Sequence, residues 1–149
     1  MLRPYKLLST SALVLTLTLS LGMSSTPAFA GIAVVVNPGN AINALSASEV
    51  KAIFLKKRKS FPGGYSAMPI NQGEESDIYD DFAAQVLHKD PNQLKSYWSV
   101  QIFSGKATLP PVTHGDAAVK QQVSASAAAI GYIDSSHVDR SVKVVFTIE

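Results

Sequence analysis

The feature that most constrains the fold is Ile32–Val36, an unbroken run of apolar residues rich in valine. The turn sequence Asn-Pro-Gly-Asn at residues 37–40 ends it. A strand with one face in water alternates polar and apolar residues, and this run contains no polar residue. We therefore expect a strand buried on both faces. Such a strand is typical of a layered α/β fold, and the order of the predicted elements, β-α-β-α-α-α-β-β, indicates a sheet covered by helices.

The first thirty residues predict a secretory signal peptide rather than part of this fold. Arg3 and Lys6 precede an apolar stretch at residues 13–23, and an Ala-Phe-Ala sequence ends at Ala30. A transmembrane anchor is the alternative, but the stretch is shorter than the ~20 residues that span a bilayer. We expect cleavage after Ala30. The domain at residues 31–149 would then work in the periplasm or outside the cell.

Composition excludes several classes of protein. The chain has 149 residues, of which 46% are hydrophobic and 16% charged, and this suits one folded domain. It has no cysteine, so disulfides, cysteine-ligated zinc, Fe–S clusters and thiol nucleophiles are excluded. The formal net charge of +2 is too small to indicate nucleic-acid binding. Because the excess lies on Arg3 and Lys6, residues 31–149 are formally neutral.

Capping signals locate two helices, and hydrophobic periodicity locates the other elements. Ser46 with Glu49 and Asp90 with Gln93 have the spacing of capping boxes at helix N-termini. The predicted strands lie at 32–36, 68–71, 128–133 and 142–148. The predicted helices run from 46 to near 56–59, over 76–87, from 90 to near 105, and over 116–123.

The third of these helices carries two adjacent aromatic residues. We expect Leu94, Tyr97, Trp98, Ile102 and Phe103 to form its buried face, because they recur at helical spacing. The alternative is that the two neighbouring rings stack on a sugar or a base. Core packing is the preferred interpretation, since hydrophobic residues at this spacing are typical of a core-facing helix.

Nothing in the sequence indicates an enzyme. No Gly-x-Ser-x-Gly elbow is present. His114 lies close to Asp116, which leaves a hydrolytic His–Asp pair open, but a solvated loop histidine is the preferred interpretation. His88 and His137 are also expected at the surface. No metal ligand set is expected, because the three histidines have no ligand spacing.

Two charged clusters remain after these assignments. Five acidic residues fall within residues 74–81, at the start of a predicted helix. We expect them to be solvated and to interact favourably with the positive N-terminal end of the helix dipole. A catalytic carboxylate pair or a cation site is the alternative there. The basic run at 56–59 is expected to be a solvated helix end, with the docking of an anion or an acidic surface as the alternative.

Three segments resemble a known family. They are residues 34–64 (VVVNPGNAINALSASEVKAIFLKKRKSFPGG), 97–106 (YWSVQIFSGK) and 128–134 (AAIGYID). They resemble the phosphate-binding proteins of ABC importers and, more closely, short relatives of those proteins with one lobe. The resemblance covers nearly all of residues 32–147 in order. It implies one lobe of a type II periplasmic-binding-protein-like fold over residues 31–149, with a mixed sheet covered by helices.

The resemblance also implies a ligand, phosphate or a related oxyanion, and a place for it. In the family a strand leads into a loop at a helix N-terminus, where backbone N–H groups and hydroxyls hold the anion. The matching segment here is 71–77. The implied ligand-binding residues are Gln72, Gly73 and Ser76, with Thr113 and Gly115 from a second loop.

Two functions stay open from the sequence. The first is a non-enzymatic solute-binding protein of an ABC transport system, with a membrane permease as its partner and no cofactor. The second is a lobe that has lost its ligand and serves as an envelope interaction or sensory module. Because one lobe leaves the ligand face open, two alternatives follow: either affinity is low, or another chain supplies the facing wall, with a homo-oligomer as one source of that chain.

Overall fold

The structure is a computed structural model that describes residues 31–149. The predicted signal peptide lies outside the described residues, so it stays a prediction. The strands are β1 Ile32–Val36, β2 Met68–Pro69, β3 Asn71–Gln72, β4 Val112–Thr113, β5 Ala129–Asp134 and β6 Lys143–Ile148. The helices are α1 Ala47–Phe54, α2 Asp77–Phe82 with a π-helical extension Ala83–Leu87, α3 Pro91–Phe103 and α4 Asp116–Ala125, and a 3₁₀ turn covers Ser135–His137.

The main sheet has four strands in the order β2-β5-β1-β6. β1 runs antiparallel to both of its neighbours, and β2 runs parallel to β5. Val34, in the middle of β1, lies opposite Tyr132 on one side and Phe146 on the other. The predicted mixed sheet covered by helices is therefore confirmed.

The two faces of β1 belong to two separate hydrophobic clusters. Ile32, Val34 and Val36 face the larger cluster, which is completed by side chains of α1, α2 and α3. Ala33 and Val35 face the smaller cluster, which is built on α4. All five side chains are buried, as the absence of polar residues in the run predicted.

Three aromatic rings join the sheet to two helices. Phe82 of α2 stacks on Tyr132 of β5 with ring centroids 3.9 Å apart. Phe54 at the end of α1 meets both rings edge-on, at 4.7 Å from Phe82 and 5.7 Å from Tyr132. Aromatic pairs of this kind contribute about 0.5–1.5 kcal/mol beyond the area they bury.

Both predicted capping boxes are confirmed. In α1 the backbone N–H of Glu49 donates to the Ser46 hydroxyl, and the Ser46 N–H donates to the Glu49 carboxylate. In α3 the Gln93 N–H donates to Asp90, and the Asp90 N–H donates to the Gln93 side chain. The first turns of α1 and α3 are thus closed by their own side chains.

The predicted strand at 68–71 is corrected by the structure. Met68–Pro69 pairs with β5 in the main sheet, whereas Asn71–Gln72 pairs with β4 in a separate two-stranded sheet. Strand β4 was not predicted, because two residues are too few to show a period. The chain thus passes from one sheet to the other within four residues. The hydrophobic pattern of a strand does not indicate which other strand it pairs with.

The predicted buried face of α3 is correct only for its first turns. Leu94 and Trp98 are buried, and the core interpretation of Trp98 is confirmed. Tyr97 is half-buried and donates its hydroxyl to the carbonyl of Leu55 at 2.6 Å. Ile102 and Phe103 are instead 47% and 92% exposed, because the core contacts end before the last turn of the helix. No helix within residues 31–149 is both long and apolar enough to span a membrane.

Replacing Phe82 with alanine should strongly destabilise the protein. Phe82→Ala opens a cavity between Phe54 and Tyr132, so the free energy of unfolding should fall by about 3–5 kcal/mol in a urea titration. Phe103→Ala is the matched control, because Phe103 is 92% exposed, and it should change that free energy by less than about 0.5 kcal/mol. Equal effects of the two substitutions would contradict the packing described here.

Candidate functional site

Two loops meet where a pair of parallel strands ends. β3 and β4 are parallel, with Gln72 opposite Thr113. Residues 73–76 connect β3 to α2, and residues 114–115 connect β4 to α4. We call residues 73–76 and 114–115 the strand-end loops. The carboxyl ends of two strands and the N-termini of two helices thus lie at one edge, which is where α/β folds bind ligands.

The five residues implied as ligand-binding all lie in or beside these loops. Gln72 and Thr113 are the paired strand ends, and both are buried. Gly73 and Ser76 bound the first loop, where the Ser76 hydroxyl donates to the Gly73 carbonyl at 2.8 Å. Gly115 precedes α4 with a positive φ of 86°, a conformation that glycine adopts without strain. The structure brings the two segments together, and their role in binding stays a prediction.

Gln72 has no free donor on its side chain. Its Nε2 donates to the Asp116 carboxylate at 2.6 Å and to the Tyr132 carbonyl at 3.0 Å. Its backbone N–H donates to the Tyr132 hydroxyl at 3.1 Å, and burial raises the pKa of that hydroxyl well above its usual value. Gln72 therefore holds β3 against β5 and α4, and it positions the first strand-end loop.

The Asp116 carboxylate collects three donors at the start of α4. Besides Gln72, it accepts the backbone N–H of Asp134 at 3.0 Å and Nδ1 of His137 at 2.7 Å. This carboxylate links the end of β3, the end of β5 and the first turn of α4. Charge-assisted hydrogen bonds of this kind are about twice as strong as neutral ones.

The two histidines near the site pair differently from the pattern left open by the sequence. His114 lies 2.5 Å from the Glu75 carboxylate, and it is His137, not His114, that contacts Asp116. The His114–Asp116 pair of a hydrolytic site is therefore absent from the described residues. The sequence did not predict that Asp134 and His137 contact Asp116, because these two residues lie at and just after the end of β5 and no spacing connects them to Asp116.

Glu75 lies over the first strand-end loop. Hydrogen bonds from its own backbone N–H and from His114 lower the pKa of its carboxyl group. A Cβ added at Gly73 would collide with that carboxylate, so the carboxylate and the Gly73 backbone are in close contact. The space in front of Gly73 is thus occupied by the protein's own acid.

The helices that begin at the strand-end loops differ from the other two. Ser76 before α2 and Gly115 before α4 make no side-chain capping hydrogen bond, whereas α1 and α3 both have capping boxes. The first N–H groups of any helix have no partner inside the helix. At the site these donors face the strand-end loops without a capping side chain.

The charge around the loops is mainly negative. Glu74 and Asp77 are exposed beside Glu75, and Lys120 at the far side is paired with Asp139 at 2.5 Å. A like charge ~4 Å away costs on the order of 1 kcal/mol even in water. The acids therefore work against the helix N-termini for any anion bound here. Within residues 31–149, no three His, Asp or Glu side chains are grouped to hold a metal ion.

Solved structures with the same fold include two proteins whose names mention phosphate and a third that is named PstS. One is a proposed phosphate ABC transporter substrate-binding protein from Clostridium perfringens, solved with bound phosphate (TM-score 0.62, 22% identity). The others are an ABC-type phosphate transport receptor from Vibrio cholerae (0.63, 18%) and PstS from Borrelia burgdorferi (0.59, 14%). No protein-family model matches the chain, and no curated protein matches it.

These likenesses establish the fold. Each covers 77% of this chain but only 44–46% of the other protein, so the chain spans less than half the length of these structures. Residues 31–149 therefore form a single lobe of the type II periplasmic-binding-protein-like fold, as the sequence resemblance implied. The first of these structures is named as a substrate-binding protein and the second as a transport receptor.

Removing the Asp116 carboxylate should loosen the strand-end loops. Asp116→Ala leaves the buried Nε2 of Gln72 with one acceptor fewer, so unfolding should become easier by about 2–3 kcal/mol. Thermal and urea unfolding measure this. Asp77→Ala is the matched control, since Asp77 is an exposed acid in the first turn of α2, and it should change stability by less than about 0.5 kcal/mol. Comparable losses in both variants would contradict the positioning role of Asp116.

Proposed function

We propose that the chain is a secreted solute-binding lobe that binds phosphate or a related oxyanion at the strand-end loops without catalysing a reaction. The observation that carries the proposal is the meeting of two helix N-termini that lack side-chain caps at the carboxyl ends of two paired parallel strands. Backbone N–H groups in that arrangement attract an anion through both hydrogen bonds and the helix dipoles.

Each residue of the proposed site has a distinct role. Gly115 has no side chain and open space beside it, so an anion can approach the backbone there, whereas at Gly73 the Glu75 carboxylate has to move aside first. The Ser76 hydroxyl supplies a further donor once it releases the Gly73 carbonyl. Gln72 and Thr113 are paired at the strand ends and so keep the two loops next to each other. Gln72 is itself held by hydrogen bonds from its side chain to Asp116 and Tyr132.

The setting proposed for this lobe is the periplasm or the cell exterior, after cleavage near Ala30. A membrane permease of an ABC system is the proposed partner, in keeping with the names of the related structures. A single lobe leaves the anion on an open face, where little of its surface can be buried. We therefore expect weak binding by the isolated chain, with a second polypeptide needed for tight binding.

Replacing Glu75 with glutamine should strengthen phosphate binding. Glu75→Gln removes the negative charge that lies against Gly73, and relief of about 1–1.4 kcal/mol of repulsion corresponds to a five- to tenfold lower Kd. Isothermal titration calorimetry at low salt, with millimolar phosphate, measures both proteins. Asp81→Asn is the matched control, because it removes one acid of the same cluster farther along α2, and it should change the Kd by less than twofold.

The titration also decides whether the proposal stands. Absence of heat and of a thermal shift in both the original protein and Glu75→Gln would remove the oxyanion-binding function. An equal gain in affinity from Glu75→Gln and Asp81→Asn would contradict the location at the strand-end loops, because only Glu75 lies against Gly73.

A second function is favoured by one specific observation. Glu75 and Asp116, the protein's own carboxylates, already occupy the strand-end region and its donors. A lobe whose anion site is filled in this way would serve as an envelope interaction or sensory module. Its exposed loop residues, such as His114, would then contact a protein partner instead of a solute.

Crosslinking from the loop tests this second function. A photo-reactive amino acid at position 114 should yield one reproducible adduct with an envelope protein in cells. The same amino acid at position 140, an exposed arginine beyond the 3₁₀ turn, should not yield that adduct. Clear phosphate binding together with no adduct specific to position 114 would contradict the interaction module and favour the solute-binding lobe.

A further inference from the structure

The basic run at residues 56–59 lines a groove that is not part of the strand-end site. Lys56, Arg58 and Lys59 face Lys106, which follows α3 about fifty residues later in the chain. Arg58 pairs with Glu49 at 3.5 Å, while the three lysines make no salt bridge within residues 31–149. No acidic side chain lines this groove. We call it the basic groove.

A second groove of opposite charge lies next to the basic groove. Glu74 from the first strand-end loop and Asp80 from α2 line it, together with one cation, Lys95. Neither acid makes a salt bridge within the described part of the chain, and both are exposed. We call this the acidic groove.

Two exposed apolar residues are shared by the two grooves, and we call them the apolar ridge. Ile102 and Leu109 line both grooves, and they are 47% and 55% exposed. Ile102 was expected in the core from its helical spacing, and Leu109 lies in the loop that follows α3. Apolar side chains exposed together between polar rims are typical of protein interaction sites.

We propose that this face mediates a two-fold symmetric dimer of the chain. A complementary partner must have an apolar ridge between two charged grooves. Its acidic groove must face the basic groove of this chain, and its basic groove must face the acidic groove. A second copy rotated about an axis along the ridge has that order. Each basic groove then meets the acidic groove of the other copy, while Ile102 and Leu109 pack against their counterparts.

Long-range charge does not oppose this association. Residues 31–149 are formally neutral, so two copies have no net repulsion, and opposite grooves attract at short range. An unrelated acidic partner would satisfy only the basic groove. It would leave the acidic groove and half of the apolar ridge uncovered, and for this reason the observations favour a second copy.

The dimer also bears on the strand-end loops. Glu74 belongs both to the first of these loops and to the acidic groove. The basic groove of the second copy would therefore lie beside the proposed anion site, where the charge of this chain is mainly negative. Self-association itself does not depend on phosphate binding, and it is measured without phosphate, so failure of one proposal is distinguishable from failure of the other.

Sedimentation velocity of the purified protein tests the dimer through reversal of charge. The original protein should sediment as a dimer at roughly 100 μM in low salt and dissociate as salt screens the grooves. Lys106→Glu and Asp80→Lys should each raise the dimer dissociation constant at least about tenfold, because each places like charges at two symmetric contacts. Arg140→Glu is the matched control, since Arg140 is exposed and lines neither groove, and it should remain dimeric.

Mixing the two weakened variants gives the decisive result. A heterodimer of the Lys106→Glu and Asp80→Lys chains has one reversed pair and one original pair, so the equimolar mixture should regain the dimer that neither variant forms alone. Leu109→Asp should be monomeric, whereas Val100→Asp, at an exposed position of α3 outside both grooves, should not. A monomer at all concentrations, or a mixture no more associated than its components, would overturn the proposal, with circular dichroism used to confirm that each variant is folded.

Discussion

β1 has a neighbouring strand on each edge and buried side chains on both faces, and the other layers are arranged around it. Its side chains contribute to the cluster under α1, α2 and α3 on one face and to the cluster under α4 on the other. A strand without a polar face cannot lie at the surface, so both layers of helices are required. Full burial of each isoleucine or valine side chain of β1 contributes about 1.5–3 kcal/mol.

The same core positions the candidate site. Tyr132 lies opposite Val34 of β1, its ring stacks on Phe82, and its hydroxyl accepts the backbone N–H of Gln72. Gln72 in turn donates to Asp116 at the start of α4. The strand-end loops are thus fixed by hydrogen bonds that begin in the hydrophobic core, and a change at Tyr132 or Asp116 would act on the loops without touching a ligand.

Charge and size together define what this lobe can do. Helix N-termini favour an anion at the strand-end loops, while Glu74, Glu75 and Asp77 oppose it, and a single lobe covers only one side of a ligand. A second copy joined along the Ile102–Leu109 ridge would bring both an opposing surface and positive charge. The proposed site and the proposed dimer are therefore physically complementary, although each is tested independently.

Sequence patterns within short segments of the chain were sufficient to predict most of the helices and strands. The apolar run at 32–36, the two capping boxes and the periodicity of the helices each depend on residues within one turn or one strand, so the sequence by itself determined these elements and their α/β class. The family resemblance also indicated both segments of the candidate site, and their role in binding stays a prediction. Only the tertiary structure decided that residues 68–72 divide between two sheets, that Ile102 and Phe103 are exposed, and that His137 rather than His114 contacts Asp116. These outcomes depend on which distant residues meet, and no spacing along the chain encodes that.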